Sequence, residues 1–366
     1  MPKKTKIDYQ LLALILSLVS FGLIALYSAS TVESFENFGN TTGFIFHQML
    51  YGVGIGLILM TIFSKIDYHV WQKLLPGIIL ISLLLLALVK APGVGFSAGG
   101  ATRWIHFGQF FFQPAELAKL ALILYLAAWS AKNRAEKTSF VFGLLPSLVI
   151  VALFSVLILW QPDFGTMSVA LCISAVMLFC SGVSIKRFFW TALAGFSFLL
   201  FMIKTEPYRW QRITSFLNPS HDPQGSGYQI SQSLLAIGAG GLWGYGYGFS
   251  RQKYSYLPEP MGDSIFAVMA EELGFVRIML LLLLFTLFLF KGRQIAKNAP
   301  DAFGKMIAVG TTVWIISQAL INIGSMVGIL PLTGVPLPFF SYGSSALLVS
   351  LSAMGILLNI SRQARH

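Results

Sequence analysis

Little of this sequence is charged. Asp, Glu, Lys and Arg make up 11% of its 366 residues, against 56% hydrophobic ones, where a soluble domain has about a quarter charged. So few charges cannot clothe a body of this size in water, which excludes an ordinary soluble enzyme and leaves a chain covered mostly by lipid. Cysteine is nearly absent too. Cys172 and Cys180 share one apolar run and, on one helix, stand too far apart to bridge. That excludes a disulfide-stapled scaffold and makes both of them packing residues. Acidic residues number 14 against 25 basic ones, a formal net charge of +11. The basic residues fall in short clusters between apolar runs, the pattern that orients a membrane protein, so nucleic acid is not an expected partner.

What is present is a series of apolar runs, several of them reaching the roughly 20 residues that cross a hydrocarbon core. They are read as spans near 9–29, 46–64, 73–90, 114–131, 141–160, 166–183, 188–204, 264–290, 305–328 and 343–360. The expected fold is an all-α polytopic membrane protein of about ten transmembrane helices, a single domain over residues 1–366. With the N-terminus inside, 16 of the 25 basic residues lie in inner segments. Lys3, Lys4 and Lys6 open that set, Lys132, Arg134 and Lys137 fall midway, and Arg362 and Arg365 close it. Both termini are therefore expected in the cytoplasm. Met1 to Lys6 reads as a basic tail before a retained span, not as a cleaved leader.

Residues 205–263, between the seventh and eighth spans, form a large extracytoplasmic loop, far longer than a usual connection. Its aromatic residues, among them Tyr208, Trp210, Trp243 and Tyr254, predict that it folds back onto the membrane. The Gly238 to Gly248 stretch predicts tight backbone turns, since no strand precedes it to make a phosphate loop.

Ionisable groups at or under the membrane surface are costly and mark functional candidates. Gly100-Ala101-Thr102-Arg103-Trp104-Ile105 is followed by Gln113-Pro114-Ala115-Glu116-Leu117-Ala118-Lys119, in which Pro114 suits the first turn of a helix. Glu116 and Lys119, three apart on one face, form either a self-neutralising internal pair or, with Arg103, a positive grip on an anionic head group. In Gln161-Pro162-Asp163-Phe164-Gly165, Asp163 suits the cap of the next helix. Leu257-Pro258-Glu259-Pro260-Met261-Gly262-Asp263 leads into a span carrying Glu271 and Glu272. Asp263 falls where a helix cap would stand, and Glu271, rotated about 80° from it, can share a cavity wall with it. These carboxylates fit an active site or an ion path. Pro331 to Ser345 has three prolines within eight residues, which forbids a regular helix. It is expected to re-enter the membrane and line the same outer cavity, with a plain interfacial loop as the alternative.

Together with Phe216-Leu217-Asn218-Pro219 and Asp222-Pro223-Gln224-Gly225-Ser226-Gly227-Tyr228-Gln229, these segments resemble the SEDS family of FtsW/RodA-type proteins over nearly the whole chain. The Ser250-Arg251-Gln252-Lys253-Tyr254 stretch is more similar to the FtsW branch. The resemblance implies a peptidoglycan glycosyltransferase that polymerises lipid II on the outer face of the bacterial cytoplasmic membrane during cell division. It implies a catalytic base at Asp263, taking the proton of the acceptor sugar's 4-hydroxyl as that oxygen displaces undecaprenyl pyrophosphate with inversion. Arg103, Trp104, Gln113, Glu116, Lys119, Glu259, Glu271 and Ser341 are the implied substrate-binding residues. A divalent cation, magnesium or manganese, is implied with the pyrophosphate, without a dedicated protein cage. A class B penicillin-binding transpeptidase and other divisome proteins are the implied partners, beside membrane lipid. Met261-Gly262 and Ser264 flank Asp263 where the family commonly has His-Thr and Phe. Two other readings stay open: a lipid II flippase or transporter using Glu271, Glu272 and Arg277 as a path, and a division scaffold without its own catalysis.

Overall fold

The computed structural model describes residues 7–98, 101–108, 110–132, 144–218, 222, 225–254 and 256–364. Of the positions named above, Met1, Lys3, Lys4, Lys6, Gly100, Arg134, Lys137, Pro219, Pro223, Gln224 and Arg365 lie outside these. Among the described residues there are twelve helices. They are α1 Tyr9–Phe38, α2 Gly43–Lys65, α3 His69–Leu88, α4 Pro114–Ser130, α5 Leu145–Trp160, α6 Phe164–Cys180, α7 Ile185–Thr205, α8 Pro207–Leu217, α9 Ser226–Gly240, α10 Ile265–Asn298, α11 Ala302–Met326 and α12 Ser344–Gln363. Seven of them (α1, α2, α3, α7, α10, α11 and α12) are long and apolar enough to cross a membrane, and α5 and α6 are shorter apolar helices. The chain is a helical, multi-pass membrane protein.

It is not purely α. Between α3 and α4 the chain forms a three-stranded antiparallel sheet, with strands β1 Gly95–Ala98, β2 Ala101–Phe107 and β3 Phe110–Phe112. The segment is rich in aromatic and β-branched residues, which suit a pleated surface, and is too short and polar to be a span. Pairing satisfies backbone groups that would otherwise be bare beside the bilayer. Residues 205–263 are likewise more ordered than a loop, since they hold α8 and α9. Pro114 and Pro207 each open a helix, where a missing N–H costs nothing.

The centre of the bundle is α4 and α12, whose side chains are mostly buried, with α11 buried along much of its length. Small residues let α12 lie close along α2. At Gly355 a Cβ would fall 2.5 Å from the carbonyl oxygen of Met60. Gly355→Val is therefore expected to force the two helices apart and cost about 1–3 kcal/mol. A lowered melting temperature in detergent checks this, and unchanged melting would refute the close approach.

The span read as continuous over 264–290 is broken. At Gly274 the α10 backbone turns to φ 74° and ψ 173°, a conformation open to glycine alone. The glycine-rich turn supplies the lost hydrogen bonds. Tyr245 and Gly246 donate to the Glu271 and Glu272 carbonyls at 3.1 and 3.0 Å, while Phe275 and Val276 donate to Gly241 and Leu242 at 2.9 and 3.2 Å. Irregular backbone at membrane depth survives only where protein covers it in this way.

Candidate active site

The proline-rich segment between α11 and α12 packs its backbone against the turn that carries Asp263. Within that turn, Gly262 N and Ser264 N both donate to Glu259 O at 3.1 Å, and Glu259 sits at φ 51°, an uncommon setting for a side-chain-bearing residue. Ser341 Oγ accepts from Leu337 N at 2.8 Å and donates to Gly262 O at 2.7 Å. Tyr342 N donates to Met261 O at 2.8 Å. Asn322 Nδ2 donates to Asp263 O and to Val335 O, each at 2.8 Å. All of these grips are on backbone atoms, so Met261 and Gly262 can stand in the places of other side chains without loosening the turn.

Asp263 does not cap α10. Ser264 occupies the capping position, and no side-chain cap bond is made. Among the described residues none donates a hydrogen bond to the Asp263 carboxylate, which is half-buried. Burial pushes its pKa up to about 6, helped by the charges of Glu259 and Asp163, while Arg212 and Arg103 pull the other way. A Cβ at Gly334 would lie 3.3 Å from Asp263 Oδ2 and 3.8 Å from Arg212 Nη1, so carboxylate and guanidinium flank the same glycine. Arg212 Nη1 donates to Leu332 O at 3.1 Å. Arg103 reaches from β2 to the carbonyls of Gln161, at 3.3 Å, and Pro162. Asp163 caps α6 through Thr166 N at 3.0 Å and accepts from Gln113 Nε2 at 3.2 Å.

Five further candidates are placed differently. Lys119 and Glu116 form the internal pair: Nζ lies 2.8 Å from Glu116 Oε1, and both side chains are 1% exposed. The ammonium also donates to Gln318 Oε1 at 2.8 Å and lies over the Trp314 ring. Its charge is used inside the bundle, so it offers no grip at the surface. Glu271 accepts from Ser250 Oγ at 2.5 Å and from the backbone N of Arg251 and Gln252. That carboxylate anchors the turn above it and does not face Asp263. Trp104 is half-buried on β2 and pairs with Phe96, beside the bulge that leaves Arg103 without a partner on β1. Ser341, as described, braces two backbones.

Beside Glu271, Glu272 accepts from Ser28 Oγ and pairs with Lys253 Nζ at 2.9 Å, with both charged side chains buried. Ser250 and Lys253 have the Ser-x-x-Lys spacing of serine transpeptidases, but both are engaged in this network as anchors. Arg277 donates to Trp243 O at 2.7 Å. Glu271, Glu272 and Arg277 thus staple the glycine-rich turn instead of lining a path. Arg212 and Asn322 join the site without a strong sequence signal. The one cue is Arg209 and Arg212 standing three apart on the amphipathic α8.

A family model for FtsW, RodA and SpoVE, described as cell cycle protein, matches residues 9–366. The chain belongs to that family. Stage V sporulation protein E of Bacillus subtilis (strain 168) is 45% identical over 364 residues, covering 100% of this chain and 99% of the relative. The probable peptidoglycan glycosyltransferase FtsW of Geobacter sp. (strain M18) is 38% identical over 358 residues, covering 98% and 97%. Among solved structures, a chain from a peptidoglycan synthase complex that coordinates polymerization and crosslinking is similar, with a TM-score of 0.80, 28% identity and coverage of 97% and 98%. The rod shape determining protein RodA of Thermus thermophilus is similar with a TM-score of 0.71, 28% identity and 98% coverage of both chains.

Proposed function

We propose that this chain is a peptidoglycan glycosyltransferase that polymerises lipid II at the outer face of the bacterial cytoplasmic membrane, crossing it about ten times with both termini inside. The observation that carries the reading is the Asp263 carboxylate, without a hydrogen bond among the described residues and raised to about 6 beside two arginines. A general base needs a free lone pair and a pKa near the working pH, and Asp263 has both.

Asp263 takes the proton of the acceptor's 4-hydroxyl while that oxygen forms a bond to the donor's anomeric carbon. The carbon–oxygen bond to the pyrophosphate breaks, the pyrophosphate leaves with the electron pair, and the centre inverts. Arg212 and Arg103, not Lys119, supply the positive charge that meets the departing anion. An apolar cavity of about 230 Å³ opens beside Arg212, lined by Phe164, Ile203, Ile213, Ile321 and Leu330 and edged by Arg209 and Arg212. It suits the first units of a prenyl chain with the pyrophosphate at its charged rim. Among the described residues no three of His, Cys, Asp and Glu converge on a metal position. The magnesium or manganese of the proposal therefore enters as a counter-ion of the pyrophosphate, and no step above depends on it.

A class B penicillin-binding transpeptidase is the proposed partner, within the wider divisome. The similarity to a chain of a peptidoglycan synthase complex supports it. The 45% identity to a sporulation protein supports a second reading of the cellular role, in which the same chemistry serves spore formation instead of division. Reporter expression through growth and sporulation separates the two.

The test is the purified chain in liposomes with labelled lipid II, with and without the transpeptidase. Glycan ladders are expected. Lipid movement without polymer would identify a flippase, and neither outcome a scaffold. In the same assay Arg212→Ala is expected to lower kcat about 10²-fold, the usual scale for losing one donor to a developing charge. An unchanged kcat would remove Arg212 from the anion site.

A further inference from the structure

Two amide side chains on α11 stand four residues apart, on one helix face, and both reach the proline-rich segment. Gln318 donates through Nε2 to Pro336 O at 2.9 Å, while its Oε1 accepts from Lys119 Nζ and Trp314 Nε1, each at 2.8 Å. Asn322, 1% exposed, donates to Asp263 O and Val335 O at 2.8 Å. Both of its acceptors are carbonyls, so only the amide nitrogen can face them. Its Oδ1 is buried without a partner, a loss of about 1–3 kcal/mol for an acceptor removed from water. The arrangement keeps a two-pronged donor at the one place where it joins Asp263 to the neighbouring segment. Met261 and Gly262 are held through their carbonyls by Tyr342 and Ser341, and among the described residues Asn322 alone holds the carbonyl of Asp263 itself.

We propose that Asn322 is a positioning residue for the reaction: its amide locks the Asp263 peptide to Val335 and so aims the Asp263 carboxylate, while Gln318 ties the buried Glu116–Lys119 pair to the same segment. Fixing the Asp263 carbonyl fixes that residue's ψ, and with it the direction of its side chain relative to the segment bearing Gly334. This rests on Asp263 as the base. Glu259, Asp163, Arg212 and Arg103 surround that carboxylate, and among the described residues the Asn322 side chain bonds only to the carbonyls of Asp263 and Val335.

Asn322→Asp replaces the donor nitrogen with an acceptor facing two carbonyls. In the lipid II polymerisation assay, kcat is expected to fall about 30- to 100-fold, the scale of a misplacement near 1 Å, with KM within about threefold. The acid limb of the pH profile should move down as water reaches the loosened carboxylate. Hydrogen exchange of the amides over residues 259–264, measured without substrate, should rise about tenfold or more. Asn322→Ser keeps one donor and carries the test if the Asp variant does not insert, with an expected kcat loss of about 5- to 10-fold. Unchanged exchange over 259–264, or a loss confined to KM, would overturn the proposal. Faster exchange in a protein whose wild type makes no polymer would keep the anchoring role and remove the polymerase reading instead.

Discussion

Asp263→Asn abolishes polymerisation of lipid II and, above pH 6, raises the melting temperature of the protein: these are the expected results. Removing a general base typically costs about 10²–10⁴-fold, and no other carboxylate is held in its place. Glu259 is exposed, and Asp163 is occupied by Thr166 and Gln113. The stability gain follows from the sign of the shift. The folded pKa, about 6, stands above the ordinary value of 3.8. Ionising Asp263 therefore opposes folding fully above pH 6, partly between about 4 and 6, and not at all below 4. Asn mimics the protonated acid, so the variant should gain about 1–3 kcal/mol at neutral pH and nothing near pH 4. In the wild type, kcat/KM should fall about tenfold per unit below pH 6, because only the ionised form accepts a proton. Polymer from Asp263→Asn at wild-type rates would end the assignment. A melting temperature lowered at pH 7.5 would contradict the account of the carboxylate's surroundings.

Lys119→Ala is expected to destabilise the protein by about 3–5 kcal/mol, the cost of leaving a buried partner charge uncompensated. Glu116 has one oxygen on the lysine and the other already without a partner, so no group waits to replace the ammonium. Glu116→Gln with Lys119→Met removes both charges and should recover most of the loss. Melting in detergent decides the matter. If Lys119 instead served at the surface as a grip on substrate, Lys119→Ala would leave the melting temperature unchanged and act on KM alone.

The two arginines beside Asp263 show how much of the site could be read along the chain. Arg103 belongs to a recognisable run of residues, and its partner carbonyls at Gln161 and Pro162 belong to another. Arg212 looks on the sequence like any basic residue of an outer segment. Only the packing of α8 against the 331–333 backbone brings it to Asp263. Lys119 shows the opposite case. Its spacing from Glu116 permits an internal pair or a surface grip, and the choice depends on Gln318, 199 residues away along the chain. Glu271 can share a wall with Asp263 by helical rotation, but rotation says nothing of the turn at 250–252 that occupies its carboxylate. The sheet at residues 95–112 lies below the scale on which span-length hydropathy works.

The scarcity of charge and the lengths of the apolar runs determined by themselves that this chain is a multi-pass membrane protein, because solvation of a long helix depends on its composition and length. Pro258 and Pro260 and the three prolines beyond Gly328 marked where helices must stop, since ring geometry acts locally. Which charges face one another was decided only by the tertiary structure. A buried carboxylate takes its character from whatever the fold sets beside it. Asp263 became a candidate base, and Glu116, Glu271 and Glu272 became anchors, through contacts with helices and turns far away in sequence.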